Sequence, residues 1–254
     1  MNVVVLVKSV VDPSGQPHLG ADFLMDRSGD GTLDPGDEFA VEAALELTGD
    51  GAGTVTVISM GPEGAATALR RALAMGADGA VLVSDPALRG ADTLVTARVL
   101  AAAAAQAGFD LVLAGVESAD GYTGTLPMAV AEFLDVPSAT FARKIEVRDG
   151  TARIERQTET GYDVVECALP AVITVTAGAT EPRYPTLKGI MASKSKPLEQ
   201  RSAADLGLGS AATTPTQRVD AVTPANTKSG GVVIEASDDT AARIADALAE
   251  AKVI

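Results

Sequence analysis

The chain has 254 residues, with 34 acidic side chains against 20 Lys and Arg, and a formal net charge of −14. This acidity argues against nucleic acid as the main partner, because binding a phosphate backbone needs clustered cations. The hydrophobic content of 46% predicts a folded protein, and the aromatic content of 3% predicts a core of small aliphatic side chains. The chain starts without a basic n-region or cleavage site and contains no run of about 18 apolar residues, so a cytoplasmic protein is expected.

The first half of the chain alternates between apolar runs and helical patterns. Residues 2–7 form a continuous apolar run, which is typical of a strand buried on both faces. Residues 12–36 are rich in Asp, Gly and Pro and predict a long excursion with a short hairpin around 23–25. Further strands are predicted at 53–59, 80–84 and 109–114, and helices at 38–48, 63–75, 90–108 and 123–134. This alternation predicts an α/β fold with a mostly parallel sheet and helices on both faces.

The pattern changes after residue 140. Runs at 141–147, 152–158 and 162–168 are joined by short turns and predict an antiparallel strand segment. Residues 169–176 (LPAVITVT) predict a strand that returns to the main sheet. We therefore expect an α/β domain over residues 1–198, which includes a loop at 175–197, and a C-terminal arm over 199–254.

The predicted arm opens with a Ser-, Thr- and Pro-rich linker over residues 197–230. A short strand is predicted at 231–236, and then a helix at 238–251 with Ser237 as its N-cap. Its apolar stripe consists of Ala241, Ile244, Leu248 and Ala251. Such a stripe predicts either docking on another chain or packing back on the chain's own domain.

No catalytic set is recognisable. The single histidine, His18, lies in a Gly- and Pro-rich stretch and is interpreted as solvated. The single cysteine, Cys167, lies in a strand pattern and is interpreted as core packing, which leaves no disulfide framework and no multi-cysteine metal site. We expect no enzyme activity from this chain by itself, and any redox role requires a bound cofactor.

Residues 115–124 (GVESADGYTG) follow a predicted strand and lead into a predicted helix. Open parallel sheets bind ligands at the carboxyl ends of their strands, and the N–H groups at a helix start attract anions. Thr123 adds a hydroxyl donor. The stretch predicts a phosphate cradle, with a tight strand–helix turn that needs glycine for its geometry as the alternative.

Residues 181–196 form a basic island in an acidic chain, because no acid occurs between Glu181 and Glu199. Cations around a small apolar centre are typical of a docking surface for an acidic partner. An ordinary solvated loop is the alternative. The partner-recognition candidates are Arg183, Tyr184, Leu187, Lys188, Ile190, Met191, Lys194 and Lys196.

The motif at residues 184–192 (YPTLKGIMA) resembles the recognition loop of the β subunit of electron-transfer flavoproteins. Further segments agree with that family in order and spacing: 3–8 (VVVLVK), 34–35 with 38–42 (DP, EFAVE), 59–62 (SMGP), 72–78 (ALAMGAD) and 111–115 (LVLAG). The resemblance covers roughly residues 1–200 and implies a Rossmann-like, adenine-nucleotide-binding fold. It also implies that the C-terminal arm reaches an α subunit.

The resemblance implies an AMP in the cradle and an FAD held mainly by the α subunit. Carried over by position, the implied AMP contacts are Leu6, Asp34, Pro35, Gly36, Asp37, Met60, Gly115, Val116, Glu117, Ser118, Ala119, Asp120, Gly121, Tyr122 and Thr123. This chain has Asp34 and Gly36 where the family commonly has an Asn and an aromatic residue. An acid repels a phosphate, so Asp34 is expected to face the adenine or the ribose. The 115–124 loop is also shorter and less polar than in the best-known members.

The function implied by the resemblance is electron transfer. A heterodimer with the α subunit would take electrons from flavin dehydrogenases of the acyl-CoA dehydrogenase type, as in fatty acid β-oxidation, and pass them to a quinone reductase. A bifurcating flavoprotein with a second FAD in place of AMP is one alternative. A stand-alone adenine-nucleotide-binding protein is the other.

Overall fold

The computed structural model describes residues 1–11, 18–29, 31–51, 53–223 and 231–254. Parts of the predicted excursion (12–17 and 30) and of the predicted linker (224–230) lie outside the described residues. The chain divides into two compact units, Met1–Val219 and Asp220–Ile254.

The first unit is an α/β structure, as predicted. Its strands are β1 (Asn2–Leu6), β2 (Ser9–Val11), β3 (Gly31–Leu33), β4 (Thr54–Met60), β5 (Gly79–Val83), β6 (Leu111–Gly115), β7 (Ser138–Arg148), β8 (Thr151–Gln157), β9 (Tyr162–Ala168), β10 (Ala171–Val175) and β11 (Leu198–Arg201). Its helices are α1 (Pro35–Leu47), α2 (Ala66–Met75), α3 (Thr93–Ala107), α4 (Leu126–Leu134), α5 (Leu187–Ser193) and α6 (Ser210–Thr213).

Nine of these strands form the main sheet of the described chain, in the order β11-β5-β4-β1-β6-β10-β7-β8-β9. Pairing is parallel from β11 to β7, and β8 and β9 add an antiparallel meander. The predicted meander and the return of β10 to the main sheet are both confirmed. A separate pair, β2 and β3, closes the base of the excursion.

Helices cover both faces of the sheet, which confirms the predicted layers. One core cluster packs α1 and α2 against the sheet. A second packs α3 and α4 against the opposite face. All five residues of β6 are buried, because a central parallel strand is covered on both sides.

The structure corrects the predicted arm. The predicted arm begins at residue 199, but residues 198–201 form β11 and pair in parallel with β5 at the lateral edge of the sheet. The loop over residues 176–197 therefore runs from β10, inside the sheet, to its far edge, and the first unit continues to Val219.

The second unit contains α7 (Thr240–Glu250). The predicted helix is present, but its N-cap is Asp239 rather than Ser237. The predicted strand at 231–236 is wrong, because these residues have no strand pairing and Val232 and Val233 are each 86% exposed. An apolar run forms a strand when an edge is available to pair with it.

Candidate functional site

Three neighbouring strand ends form the floor of the candidate cradle. β4, β1 and β6 lie side by side and parallel, so Met60, Lys8 and Gly115 lie close together where the carboxyl ends of these strands form one edge of the sheet. Leu6, the last residue of β1, is buried there. Residues 116–125 continue from this edge into α4, which is the placement that the sequence predicts.

Asp34 ties this loop to the start of α1. It is the N-cap residue of α1, and its carboxylate accepts hydrogen bonds from the N–H of Gly36 at 2.8 Å and of Ala119 at 2.7 Å. The side chain is buried, with 1% of its surface exposed. Both carboxylate oxygens thus bind main-chain N–H groups, so the expectation that Asp34 faces the adenine or ribose needs correction. Its negative charge instead organises the loop.

Asp37 joins two of the strand ends. Its carboxyl group accepts hydrogen bonds from the N–H of Lys8 at 2.7 Å and of Gly115 at 3.2 Å. Burial, with the nearby Asp34 charge, raises the pKa of Asp37 to about 8. A Cβ on Gly115 would lie 2.7 Å from Oδ1 of Asp37, so glycine is required by the close approach of these chains.

An ion-pair cluster closes the cradle on the excursion side. Asp120 pairs through Oδ1 with Nζ of Lys8 at 2.6 Å and through Oδ2 with the Arg27 guanidinium at 2.5 Å. Burial opposes the charge on Asp120, but the hydrogen bonds and charges of Lys8 and Arg27 hold its pKa below the usual value. Lys8 also donates to Ser118 Oγ at 3.1 Å. Sequence reasoning missed Arg27, since nothing in its local pattern distinguishes it.

The cradle residues fit a nucleotide that carries a phosphate. Thr125, the N-cap of α4, makes no side-chain capping hydrogen bond, so the first N–H groups of this helix have no side-chain cap. Lys8 and Arg27 retain 38% and 30% exposure of their side chains. In the described part of the chain, the buried Ser59 hydroxyl next to Met60 is without a hydrogen-bond partner.

The remaining cradle candidates are distributed around this edge. Pro35 is the first residue of α1, where proline is favoured. Tyr122 is 70% exposed and has a left-handed φ of 47°. Thr123 is exposed, and Val116, Glu117 and Gly121 complete the loop.

The loop at residues 176–197 carries the apolar centre that the sequence predicts. Tyr184, Leu187, Ile190 and Met191 are 81%, 76%, 44% and 67% exposed. Leu187 opens α5, whose N-cap Thr186 accepts a hydrogen bond from the Gly189 N–H at 3.1 Å. The most exposed aliphatic side chain of the loop is thus displayed at the start of a short capped helix.

Comparison with known proteins identifies the family to which this chain belongs. The sequence model of the electron transfer flavoprotein domain family matches residues 22–206. The chain belongs to the electron transfer flavoprotein family. One relative, the electron transfer flavoprotein subunit beta of Mycobacterium tuberculosis, is 42% identical over 217 residues, which cover 82% of each chain. The protein of the same name from Bacillus subtilis is 36% identical over 209 residues (82% and 81%), and that of Megasphaera elsdenii 36% over 263 residues (98% and 97%).

The four cations of the basic island fall into two groups. Arg183 forms a bidentate pair with Glu42, which is 4% exposed, through Nε at 2.8 Å and Nη2 at 2.7 Å. Lys196 donates to the carbonyls of Leu73, Gly76 and Ala77 at 3.2, 3.1 and 2.6 Å. Each is bound within the chain, although the Arg183 side chain keeps 48% exposure, and the contact of both with a partner stays a prediction.

The other two cations, Lys188 and Lys194, are exposed, and their ammonium groups form no ion pair or hydrogen bond with the described residues. Sequence reasoning missed Glu42 as the partner of Arg183. The two residues are 141 positions apart, and Glu42 looks like an ordinary acidic helix residue.

The described residues contain no group of His, Cys, Asp and Glu arranged to hold a metal ion. His18 is exposed, and burial raises the pKa of the half-buried Cys167 thiol. Among the described helices, none has the length and apolar character needed to cross a membrane.

Proposed function

We propose that this chain is the β subunit of a heterodimeric electron-transfer flavoprotein that carries electrons from flavin dehydrogenases of the acyl-CoA dehydrogenase type to a quinone reductase. The observation that carries the proposal is the exposed apolar patch of Tyr184, Leu187 and Met191, flanked by Lys188 and Lys194, in a family member with a net charge of −14. Cations near such a patch attract an acidic partner, while the small apolar area keeps docking transient.

The cofactors proposed are an FAD at the boundary with the α subunit and an AMP in the cradle of this chain. The flavin supplies the redox chemistry when bound. The side chains of this subunit bind and orient the nucleotide. The N–H groups at the start of α4 would hold the AMP phosphate. Lys8 and Arg27 fix Asp120 in the loop beside them, and Asp34 and Asp37 fix the rest of that loop.

The second unit is proposed to dock on the α subunit. Helix α7 has an apolar stripe of Ala241, Ile244 and Leu248, and none of its residues is buried. Exposed apolar stripes are typical of surfaces that another chain covers. The proposed partners are therefore the α subunit, permanently, and a dehydrogenase and a quinone reductase, transiently. The chain is proposed to act in the cytoplasm and to catalyse no reaction by itself.

The first experiment is a nucleotide count on the protein purified together with its partner. The complex is denatured, and the released nucleotides are identified by chromatography and mass. We expect one FAD and one AMP per heterodimer. Two FAD and no AMP would instead support the bifurcating alternative, and neither flavin nor partner would refute the proposal in favour of a stand-alone nucleotide-binding protein.

The docking surface is tested by Leu187→Ala in the flavin-loaded heterodimer. We expect electron transfer from a reduced acyl-CoA dehydrogenase to slow by about tenfold or more, because the residue opens α5 with 76% of its surface exposed. The matched control is Leu94→Ala, a 46% exposed leucine on α3. Equal rates for the two variants with every dehydrogenase tried would contradict the docking role.

A further inference from the structure

We propose that the basic island contains two pairs of cations with different roles. Arg183 and Lys196 are positioning residues that hold α5 in place through Glu42 and α2, while Lys188 and Lys194 supply the charge that attracts a partner. The second half rests on the proposed function, whereas the first half concerns the chain alone. Arg70 on α2 completes the positioning set.

The first clamp fixes the loop to α1. The Arg183 guanidinium binds both oxygens of Glu42, and the Arg183 main-chain N–H donates to the same carboxylate at 3.0 Å. Glu42 is buried, with 4% of its surface exposed, so the pair is shielded from solvent screening on that side. The chain just before Tyr184 is thereby fixed in both position and direction.

The second clamp joins α2 and α5 reciprocally. The Lys196 ammonium binds the carbonyls of Leu73, Gly76 and Ala77, which otherwise remain without helical partners at the C-terminus of α2. In return, Arg70 of α2 donates to the carbonyls of Ser193, at the end of α5, and of Lys196, at 2.9 Å. Each segment thus donates hydrogen bonds to main-chain carbonyl groups of the other.

Apolar packing alone gives α5 little support. The helix has seven residues, of which Ser193 is buried, and helices of this length are not stable alone. A cavity of about 610 Å³ opens between the loop, β3 and α2, lined by Leu33, Ala74 and Ile190 together with polar side chains that include Arg70, Arg71 and Lys194. Contact is tight at Gly189, where a Cβ would lie 2.4 Å from the Ala74 carbonyl oxygen. The polar clamps therefore determine the position of α5.

Lys188 and Lys194 have no such partners among the described residues, and both side chains are exposed. Exposed charges act on an approaching partner over about a Debye length, and salt weakens them. A cation already bound to a carboxylate or to helix carbonyls contributes less to this attraction. The two pairs should therefore differ in how salt changes the effect of their removal.

Hydrogen exchange tests the positioning role without any dehydrogenase. In the purified complex, Lys196→Met and Arg70→Met should each speed exchange of the amides of Gly189 and Ile190, which bond Thr186, by about tenfold or more. Lys188→Met should leave these amides unchanged, and Lys196→Arg should restore most of the protection. Arg183→Met should have the same effect through the first clamp. Wild-type exchange in Lys196→Met and Arg70→Met would overturn the second clamp, and wild-type exchange in Arg183→Met would overturn the first.

Salt dependence tests the division into pairs. The probe is a medium-chain acyl-CoA dehydrogenase reduced by its substrate, and the second-order rate of electron transfer is followed as ionic strength rises. Lys188→Met and Lys194→Met should slow transfer at low salt and converge with the wild-type rate at high salt. Lys196→Met should slow it by a similar factor throughout.

Arg148→Met, which removes an exposed charge at the end of β7 with no ion pair among the described residues, is the control for net charge. A flattened salt dependence for Lys196→Met, equal to that for Lys188→Met, would overturn the division. If Leu187→Ala also leaves every rate unchanged, the proposed function itself fails, while the hydrogen-exchange result still decides the positioning role.

Discussion

Asp37 should make the stability of this protein fall as the pH rises through neutrality. Burial, with the charge of Asp34, raises the pKa of Asp37 to about 8, whereas an aspartate in an unfolded chain has a pKa of about 3.9. Between these two values the folded protein keeps a proton that the unfolded chain has released. The resulting stabilisation is greatest below about pH 4 and is lost progressively up to about pH 8.

The size of this loss of stability is the one expected when a single group releases one proton. Each pH unit in this window should lower the free energy of unfolding by about 1.4 kcal/mol through Asp37, or about 3 kcal/mol from pH 5.5 to 7.5. Asp37→Asn removes the titrating group but keeps a side chain of nearly the same shape. The dependence of stability on pH should therefore become shallower by that amount.

The assay is urea unfolding of the purified protein, followed by circular dichroism over this range of pH. Asp149→Asn is the matched control, because Asp149 is an exposed turn residue with a φ of 50°, which asparagine tolerates. The same pH dependence in Asp37→Asn and in the control would refute the reasoning. It would mean that the N–H groups of Lys8 and Gly115 stabilise the ionised carboxylate more than burial opposes it.

Two further predictions concern close packing. Gly115→Ala should destabilise the protein by about 2 kcal/mol, because its Cβ would press on the Asp37 carboxylate, whereas Gly161→Ala, with nothing within 4 Å, should have little effect in the same urea assay. Cys167 should react with iodoacetamide more slowly than a free cysteine at mildly alkaline pH, since burial raises its thiol pKa. Mass spectrometry over time checks this, and alkylation as fast as that of the unfolded chain would contradict it.

The main sheet could be predicted because its strands carry their own signal. A strand covered on both faces is a continuous apolar run, and both 2–7 and 109–114 have that pattern. The meander was predictable for a different reason, since the turns at Asp149-Gly150 and Gly161 mark where the chain reverses. Local sequence was therefore sufficient to locate these elements, although their pairing joins distant parts of the chain.

What the sequence did not reveal depends on distant partners. The strand β11 has the sequence LEQR, which shows no apolar run, and it forms because the edge of β5 is open beside it. Likewise, the roles of Arg183 and Lys196 depend on Glu42 and on the C-terminus of α2, each more than one hundred positions away. Charge clustering located the loop but could not separate bound cations from free ones.

The segment that carries Leu187 is also a covalent crossover between two strands of one sheet. Val175 of β10 pairs with Gly115, and Leu198 of β11 pairs with Ala80, so both ends of the segment are held in register. Lys196 binds the end of α2 only two residues before Leu198, so an insertion or deletion between them would have to break the Lys196 clamp or shift β11 by one position, which turns its side chains to the opposite face. Over evolution, a change of partner in this lineage should therefore arise in the part of the segment before Lys196, while the spacing from Lys196 to β11 stays the same.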